Sequence, residues 1–483
     1  MERPAHTEPM GAAPKFPVRA LLAVVAFAVF VIVMNGSMTN VALPTIGEEF
    51  GATEAQAGWV ITGYLLVFAV GVPLYGRLSD VYSLRRIFCV GLAVFALGSL
   101  VCALAPSLLV LVAGRMLQAA GGAAIPALSS TSVARLLPPG QRGGALGLIV
   151  SSVGVGGAIG PVVGGAVVQF AGWHALFYGT LSLGILLVPA ALRVLPETPP
   201  EGGGSFDALG GLLLALTAGL ALFVVTEGQS LGFYSPLLWG CWVAALLCGA
   251  AFARRITRVP APFVSPTLLA NGSYLACSAV GFFGMLANLT SIVFVPLLLL
   301  EVNGLGAGAA GLALAPGAAA VALLSPIVGR VSDRVGPRTP ILLGLLVLFL
   351  SLLALSTFGA GGSYLVVMLG MLGVGVGFAG FSSPNTNATA ATLPREEIGV
   401  GLGIYQMLFF LGGGAGPAIV GSFLAARSPD TRAINPFHAA DPGAAPFSDA
   451  FLILALCALL AILAAVTKRP SKGGKPASDA DRE

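Results

Sequence analysis

The sequence predicts an all-α membrane protein with fourteen transmembrane helices, arranged as two six-helix halves and an inserted helix pair (6+2+6). The first observation is composition, because the 483 residues are 57% hydrophobic and only 9% charged, whereas a soluble domain carries roughly 25% charged residues. The second is that apolar runs of membrane-spanning length, about 20 residues each, recur from Ala20 to Val466. The third is an internal repeat that divides these runs into two related sets.

Charged or Gly/Pro-rich breaks bound the predicted helices. In chain order, α1 to α14 are 18–43, 55–76, 84–105, 108–130, 143–168, 173–195, 206–228, 235–256, 270–297, 308–330, 338–358, 363–387, 399–424 and 448–467. In lipid, backbone polar groups must bond within the protein, so a spanning segment is a helix or part of a closed barrel. Long apolar runs without two-residue alternation exclude the barrel.

The distribution of Lys and Arg predicts a multi-pass plasma-membrane protein with both termini in the cytosol. Of the 24 Lys and Arg, an N-inside topology places all on the cytosolic face except Arg115 within α4 and Arg427 and Arg432 in the long external loop. An odd helix count would put one basic tail outside. The predicted organisation is a cytosolic tail 1–17, an N-terminal half 18–195, an inserted pair 206–256, a C-terminal half 270–467 and a cytosolic tail 468–483.

Three landmarks return in the second half of the chain in the same order. GRLSDVYSLRR at 76–86 returns as GRVSDRVGPRT at 329–339, an offset of 253 residues. LPPGQRGGALGL at 137–148 returns as LPREEIGVGLGI at 393–404, and Gly160-Pro161 returns as Gly416-Pro417, both at an offset of 256. Helices α1–α6 and α9–α14 are therefore equivalent, and transporters built from such repeats bind substrate between the halves near the bilayer midplane.

Five stretches carry a likeness to a known family: NVALP (40–44), GRLSDVYSLRR (76–86), GRMLQAAGGAAIPAL (114–128), GVGGAIGPVVGG (154–165) and PFVSP (262–266). With them the chain resembles the major facilitator superfamily, and within it the fourteen-helix drug:proton antiporter group that includes the tetracycline exporters of Gram-positive bacteria. The resemblance implies the major facilitator fold. It also implies export of small amphipathic, drug-like molecules by alternating access in exchange for protons.

The GRxSD motif and its copy are the candidate cytosolic gate. The resemblance implies this role for the following residues: Gly76, Arg77, Asp80, Arg85, Arg86, Gly329, Asp333 and Arg334. A carboxylate at this interface can pair with arginines or face a helix N-terminus. The alternative is that these charges only anchor a loop and set the topology.

The glycine-rich stretch of α5 is associated, in the family, with exporters rather than importers. Its candidate residues are Gly154, Gly156, Gly160, Pro161, Gly164 and Gly165. Glycines at this density let helices touch backbone to backbone, and a proline kinks a helix. The resemblance implies that these glycines form a surface over which the two halves rock. The alternative is that they form only a tight packing face between helices.

Arg115 is the most informative single residue, because it lies within α4. An arginine at the centre of a bilayer helix costs about 2.5–3.5 kcal/mol even on the lenient insertion scale, so it should face a cavity or a partner. Gln118 shares its helix face, and Asn35 on α1 lies at about the same depth. Some members of the group carry a carboxylate in this part of α1, but MNGSMTNVALP (34–44) has none. The alternative is that Arg115 extends its charge to the outer surface.

Polar and aromatic residues of both halves are candidates for the substrate or coupling cavity. They are Asn35, Asn40, Tyr64, Arg115, Gln118, Asn288, Tyr405 and Gln406. The alternative for each is a helix–helix hydrogen bond. We found no acid in mid-membrane, so proton exchange follows from the resemblance alone.

Three function classes follow. The first is an exporter that exchanges its substrate for protons, and the second is a uniporter or carrier of an anionic solute with Arg115 as the counter-charge. A membrane enzyme or sensor is disfavoured, since His6, His174 and His438 lie in tails or external loops. The six cysteines are single and apolar in context, so neither metal nor cofactor is expected. The expected partners are the bilayer, a small-molecule substrate and protons, with no nucleic acid and a functional monomer.

Overall fold

The computed structural model describes residues 17–198, 206–232, 234–427, 432–438 and 444–467, which contain helices and no β-strand. Fourteen spans are long and apolar enough to cross a membrane, which confirms the predicted all-α membrane fold. They are α1 Val18–Glu49, α2 Glu54–Val81, α3 Leu84–Ala103, α4 Leu108–Leu136, α5 Pro139–Ala171, α6 His174–Val194, α7 Ala208–Gly228, α8 Pro236–Ile256, α9 Gly272–Glu301, α10 Gly308–Val335, α11 Arg338–Gly359, α12 Tyr364–Ala390, α13 Arg395–Ala426 and α14 Ala445–Thr467. The predicted tails, 1–17 and 468–483, lie outside the described residues except for Pro17.

Several helices are longer than predicted. The GRxSD motif was predicted to follow α2, but α2 continues through it to Val81, and α10 continues through the copy to Val335. Charged side chains at a helix end can extend to the interface while the backbone stays helical. Helix α10 ends just before Gly336, whose φ of +84° places it in the left-handed region that favours glycine. Both motifs are therefore the last turns of helices rather than loops.

Each half has its own apolar core, and two helix pairs form most of the contact between the halves. Separate clusters of buried apolar side chains fill the N-terminal and C-terminal halves. Between the halves, α5 packs against α10 and α2 packs against α13. Since the number of crossings is even, α1 begins on the same side as α14 ends. We call this side the terminal face and the other side the opposite face.

The inserted pair α7–α8 covers the seam where α2 meets α13. Helix α7 contacts both of these helices, and the Trp59 ring of α2 lies 6.0 Å from the Phe223 ring of α7. A Cβ atom added at Gly219 of α7 would lie 3.3 Å from Val70 on α2. The inserted pair therefore touches both halves.

Asp207, just before α7, ties the inserted pair to the segment that leads into α9. Its carboxylate accepts hydrogen bonds from the N–H groups of Gly210 at 2.9 Å and Phe263 at 3.2 Å. It also forms an ion pair with Arg255 at the end of α8, at 2.8 Å. Burial raises the pKa of Asp207, but the hydrogen bonds from Arg255, Gly210 and Phe263 outweigh it and hold the pKa below its ordinary value. At the terminal face, Asp207 thus joins both helices of the inserted pair to the segment that leads into α9.

We expect Asp207→Asn to destabilise the protein by about 1–3 kcal/mol at neutral pH, since charge-assisted hydrogen bonds are lost. The folded pKa is depressed, so this stabilisation is complete above the unfolded pKa of about 4 and disappears as the pH falls through the folded value. Thermal unfolding of wild type and variant from about pH 7 down to about pH 3 measures the effect. The difference between their melting temperatures should narrow in acid, and a constant difference would contradict the assignment. Arg258→Gln, on an exposed residue of the same face, is the control.

Candidate functional site

Arg115 lies in a buried polar cluster between α1, α2, α3 and α4. Its guanidinium donates hydrogen bonds to the side-chain oxygens of Asn35 at 2.8 Å and Gln118 at 2.5 Å. Gln118 in turn donates to the Ser99 hydroxyl at 2.7 Å. The Arg115 Cζ atom lies 4.1 Å from the centroid of the Tyr64 ring, which is cation–π geometry. With Arg115 only 1% exposed, four predicted residues are brought together and the guanidinium does not reach the outer surface.

The partners of Arg115 are neutral. Among the described residues, no carboxylate forms an ion pair with it. The Asn35 side-chain nitrogen and the Tyr64 hydroxyl are buried and have no hydrogen-bond partner among the described residues. Because a buried unpaired polar group costs about 1–3 kcal/mol, these atoms favour an additional polar partner. The cluster therefore combines a positive charge with an amide and a hydroxyl that retain bonding capacity.

A chain of aromatic rings leads from Arg115 into the other half. The ring centroids of Tyr64 and Phe68 on α2 are 5.6 Å apart, and Phe68 lies 5.1 Å from Phe410 on α13. Phe409 follows at 5.6 Å, and Tyr405 lies 6.3 Å from Phe409. These separations favour ring–ring contact. The result is a continuous apolar surface beside one cationic group, with Phe68, Phe409 and Phe410 not identified from the sequence.

Gln406 and Tyr405 are adjacent in sequence but bond to different halves. Gln406 donates hydrogen bonds across the interface to the Ser130 hydroxyl at 2.7 Å and the Pro126 carbonyl at 3.0 Å, both on α4. Tyr405 instead accepts from the Asn385 amide at 3.1 Å, within the C-terminal half. Gln406 therefore joins the halves in this state, and Tyr405 supports α12 against α13.

Asn40 and Asn288 are not part of the Arg115 cluster. Asn40 lies nearer the opposite face than Asn35 and is exposed. Asn288 on α9 is 6% exposed, and its backbone carbonyl accepts a hydrogen bond from Ser291 at 2.7 Å. The structure thus distributes the predicted cavity residues over several levels rather than one cluster.

At the terminal face, Asp80 seals α2 of the N-terminal half against α13 of the C-terminal half. Its carboxylate accepts hydrogen bonds from the N–H groups of Gly399 and Val400, both at 2.9 Å. It also forms an ion pair with Arg135 at the end of α4, which donates a second hydrogen bond to the Ser79 carbonyl at 2.8 Å. A carboxylate at a helix N-terminus is favourable because free N–H groups and the helix dipole point at it. Asp80 is fully buried.

Asp333 makes the equivalent contact in the opposite direction. It lies near the end of α10 and accepts hydrogen bonds from the N–H groups of Gly143 and Gly144 at the start of α5, both at 2.8 Å. The two contacts involve equivalent positions of the repeat, since Gly143 and Gly144 correspond to Gly399 and Val400 at the offset of 256. Each half thus caps a helix of the other half.

Glycines allow this close approach. A Cβ added at Gly76 would collide with the carbonyl oxygen of Gly399, and one added at Gly329 would collide with that of Gly143. The backbones of α2 and α13, and of α5 and α10, are therefore in direct contact at the terminal face. The hydrogen bonds between described residues of the two halves run from this face up to the level of Ser151 on α5, which donates to the Ala322 carbonyl at 2.5 Å.

Among the described residues, the other arginines of the predicted gate form no ion pair between the halves. Arg85 approaches Glu197 of its own half at 3.9 Å, Arg86 and Arg334 are exposed, and Arg77 is half-buried. Of this group, only Arg77 acts electrostatically on Asp80. The ion-pair partner of Asp80 is Arg135, for which the sequence predicted only a position on the cytosolic face.

The glycine motif of α5 faces two different helices. A Cβ added at Gly156 or Gly164 would lie 3.0 Å from the Phe30 carbonyl oxygen or 2.9 Å from the Met38 Cα atom, both on α1, and Gly160 faces α1 in the same way. Gly154 instead faces Val321 of α10. Gly165 has only a distant neighbour, Val41 at 3.9 Å, and Pro161 is exposed. Most of the motif therefore packs within its own half, and Gly154 contributes to the interface between halves.

Comparison with known proteins agrees with this architecture. The profile of the Major Facilitator Superfamily matches residues 25–417 and 277–482. Multidrug resistance protein Stp of Mycobacterium tuberculosis is 34% identical over 405 residues, which cover 82% of this chain and 74% of that protein. The tetracenomycin C resistance and export protein of Streptomyces glaucescens is 29% identical over 443 residues, which cover 89% of this chain and 81% of that protein.

Solved structures show the same fold. The human organic anion transporter MFSD10 superposes with a TM-score of 0.68 over 93% of this chain and 99% of that one, at 16% identity. The family and its structural neighbours are transporters. The chain belongs to the major facilitator superfamily and is a multi-pass membrane transporter, not an enzyme.

Proposed function

We propose that this transporter exports small amphipathic molecules, of the kind that includes antibiotics, by alternating access in exchange for protons. The reciprocal capping of α13 by Asp80 and of α5 by Asp333 carries the proposal. Contacts of this kind can break and re-form together as the halves rock. The closed terminal face described above is then one of the two end states.

The Arg115 cluster and the aromatic rings beside it support an amphipathic substrate. The rings from Tyr64 to Phe409 offer an apolar surface across both halves, and the Arg115 cluster offers polar contacts at one end. An apolar site with few polar groups is the usual form of a small-molecule site. The two relatives named above are a multidrug resistance protein and an antibiotic export protein, which supports the direction and the class of substrate.

We also propose that the terminal face is cytosolic and that the membrane is the plasma membrane. Arg77, Arg86, Arg258 and Arg338 all lie at this face, as the positive-inside rule expects of a cytosolic side. On this orientation, the structure represents the outward-facing state. The proposed working unit is a monomer in the bilayer that binds its substrate and protons.

Proton exchange requires a group that titrates differently in the two states. Asp80 and Asp333 are candidates, because each accepts N–H groups of the other half only while the terminal face is closed. Opening would expose both carboxylates to water and change their proton affinity. We therefore propose that Asp80 and Asp333 exchange the protons, rather than an acid in mid-membrane.

A drug-susceptibility panel in an efflux-deficient host tests export, and uptake into everted vesicles with and without an uncoupler tests the coupling. We expect resistance to at least one amphipathic compound, and loss of its transport when the pH gradient collapses. Arg258→Gln should transport like the wild type. An unchanged panel would contradict export, and transport that survives the uncoupler would contradict proton exchange.

A second candidate function is a uniporter or carrier of an anionic solute that is not coupled to protons. One observation favours it: Arg115 pairs only with neutral groups among the described residues. A negatively charged substrate would then supply the missing counter-charge. Transport confined to anionic compounds and insensitive to the uncoupler would establish this alternative in place of the first.

A further inference from the structure

A cavity of about 500 Å³ opens at the terminal face between the two halves. Its walls come from the end of α4 and the start of α5 on one side, and from α10, α12 and the start of α13 on the other. We call it the terminal pit. Its polar lining consists of Arg135, Arg142, Ser332, Asp333, Asn387 and Arg395.

The arginines of the pit outnumber its carboxylates. Arg135 pairs with Asp80, but Arg142 and Arg395 form no ion pair with any described carboxylate. Arg142 donates from Nε to the Leu137 carbonyl at 2.9 Å, which leaves its terminal nitrogens for another acceptor. Arg142 belongs to the N-terminal half and Arg395 to the C-terminal half, and the two charges repel each other.

The nearby acids do not neutralise this pair. Both oxygens of Asp333 accept the N–H groups of Gly143 and Gly144. Glu396 and Glu397 follow Arg395 directly, but neither lines the pit. No carboxylate among the described residues therefore pairs with Arg142 or Arg395.

A second, independent feature of the pit is an unpaired hydroxyl on α10. The Ser332 hydroxyl is buried, with the residue 2% exposed, and has no hydrogen-bond partner in the part of the chain that the structure describes. Asn387, on α12, lines the same side of the pit. Two guanidiniums, a hydroxyl and an amide are the donors that bind a tetrahedral oxyanion well.

We propose that the terminal pit binds a phosphate group, held between Arg142 and Arg395, and that the bound phosphate holds the terminal face closed. Each half supplies one arginine, so the complete site exists only while the halves are together. A ligand that prefers one conformation shifts the population toward it. The effect on transport rests on the proposed alternating access, whereas binding itself does not.

Titration calorimetry of the purified full-length protein with sodium diphosphate, against sodium chloride at equal ionic strength, tests binding. We expect saturable binding of one diphosphate. Arg142→Gln and Arg395→Gln should each weaken it by about tenfold, and Arg258→Gln should leave it unchanged. Absence of saturable binding, or equal binding by the double variant, overturns the proposal. Circular dichroism confirms that each variant is folded.

Spin labels at Tyr82→Cys and Val335→Cys, one exposed site on each half beside the terminal face, report closure in a background without native cysteines. Diphosphate should increase the short-distance population, and it should not do so in the double variant. A distance distribution unaffected by bound diphosphate overturns the closing role. If binding and closure hold while the susceptibility panel is unchanged, the export proposal fails and the phosphate site stands.

Repeating the titration in nanodiscs identifies the source of the phosphate. If diphosphate binding is blocked in phosphatidylglycerol nanodiscs but not in phosphatidylcholine nanodiscs, a lipid headgroup occupies the pit. Equal binding in both indicates a soluble phosphate compound. Either result supports the site.

Discussion

Arg115→Ala is expected to abolish transport while the protein still inserts and folds. Arg115 is the charged residue of its buried polar cluster, and its removal takes away the cation that contacts Asn35, Gln118 and the Tyr64 ring. Stability should change little. The variant leaves neutral acceptors without a donor, but it also removes the desolvation cost of a buried charge. The measurements are transport of a compound from the susceptibility panel, and thermal unfolding of the purified variant.

Arg115→Lys separates charge from geometry. Lysine keeps the positive charge but loses the planar group that contacts two side-chain oxygens and the ring face together. We expect transport to fall by about tenfold or more, the equivalent of about 1.4 kcal/mol. Full transport by Arg115→Ala would remove Arg115 from the mechanism, and wild-type transport by Arg115→Lys would reduce its role to charge alone.

Asn35→Asp is the matched test of coupling at the same site. It places a carboxylate where the Asn35 oxygen now lies 2.8 Å from the guanidinium. If transport by this variant depends on the pH gradient more strongly than wild-type transport, a carboxylate at this position can couple transport to protons. Unchanged dependence would show that protons, where they are used, take another route.

The sequence repeat predicted equivalent positions but not the contacts between them. Offsets of 253 and 256 residues related Asp80 to Asp333 and Gly143 to Gly399. They did not indicate that each carboxylate caps a helix of the other half, because that contact depends on packing between halves and on the conformational state. Arg135 was missed for a related reason. A basic residue at a helix end sets topology in every membrane protein, so its pairing with Asp80 leaves no separate pattern.

The aromatic chain could not be predicted for a different reason. In a helix that is apolar on all sides, a phenylalanine facing a neighbour and one facing lipid have the same sequence context. Phe68 and Phe410 are distinguished only by their contact across the interface. Arg115 and Gln118 were predictable because a polar group in lipid is costly and must find a partner.

Asp80→Asn is expected to open the terminal face, and to do so more strongly than Asp333→Asn. Both substitutions replace a carboxylate that accepts two N–H groups of the other half with an amide that accepts less well. Only Asp80 also pairs with a buried arginine, Arg135, whose side chain is 4% exposed. Breaking such a pair from one side costs about 3–5 kcal/mol, against about 1–3 kcal/mol for the hydrogen bonds alone.

The shift in population follows from these energies. About 5.5 kcal/mol moves a two-state equilibrium from 99:1 to 1:99, so Asp80→Asn should shift the population toward the open state further than Asp333→Asn does. Spin-label distances across the terminal face measure the populations, and transport rates should fall in the same order. Equal populations in the two variants, or a loss of substrate affinity with unchanged populations, would contradict the gate assignment.

The double variant Asp80→Asn/Arg135→Gln distinguishes the ion pair from the helix cap. With both charges removed, the closed state no longer buries an arginine that has lost its carboxylate. Part of the closed population should therefore return, although the weakened cap on Gly399 and Val400 remains. If the double variant opens as far as Asp80→Asn, the cap carries the gate. If it closes like the wild type, the pairing of Asp80 with Arg135 makes the two gate carboxylates unequal despite their equivalent positions in the repeat.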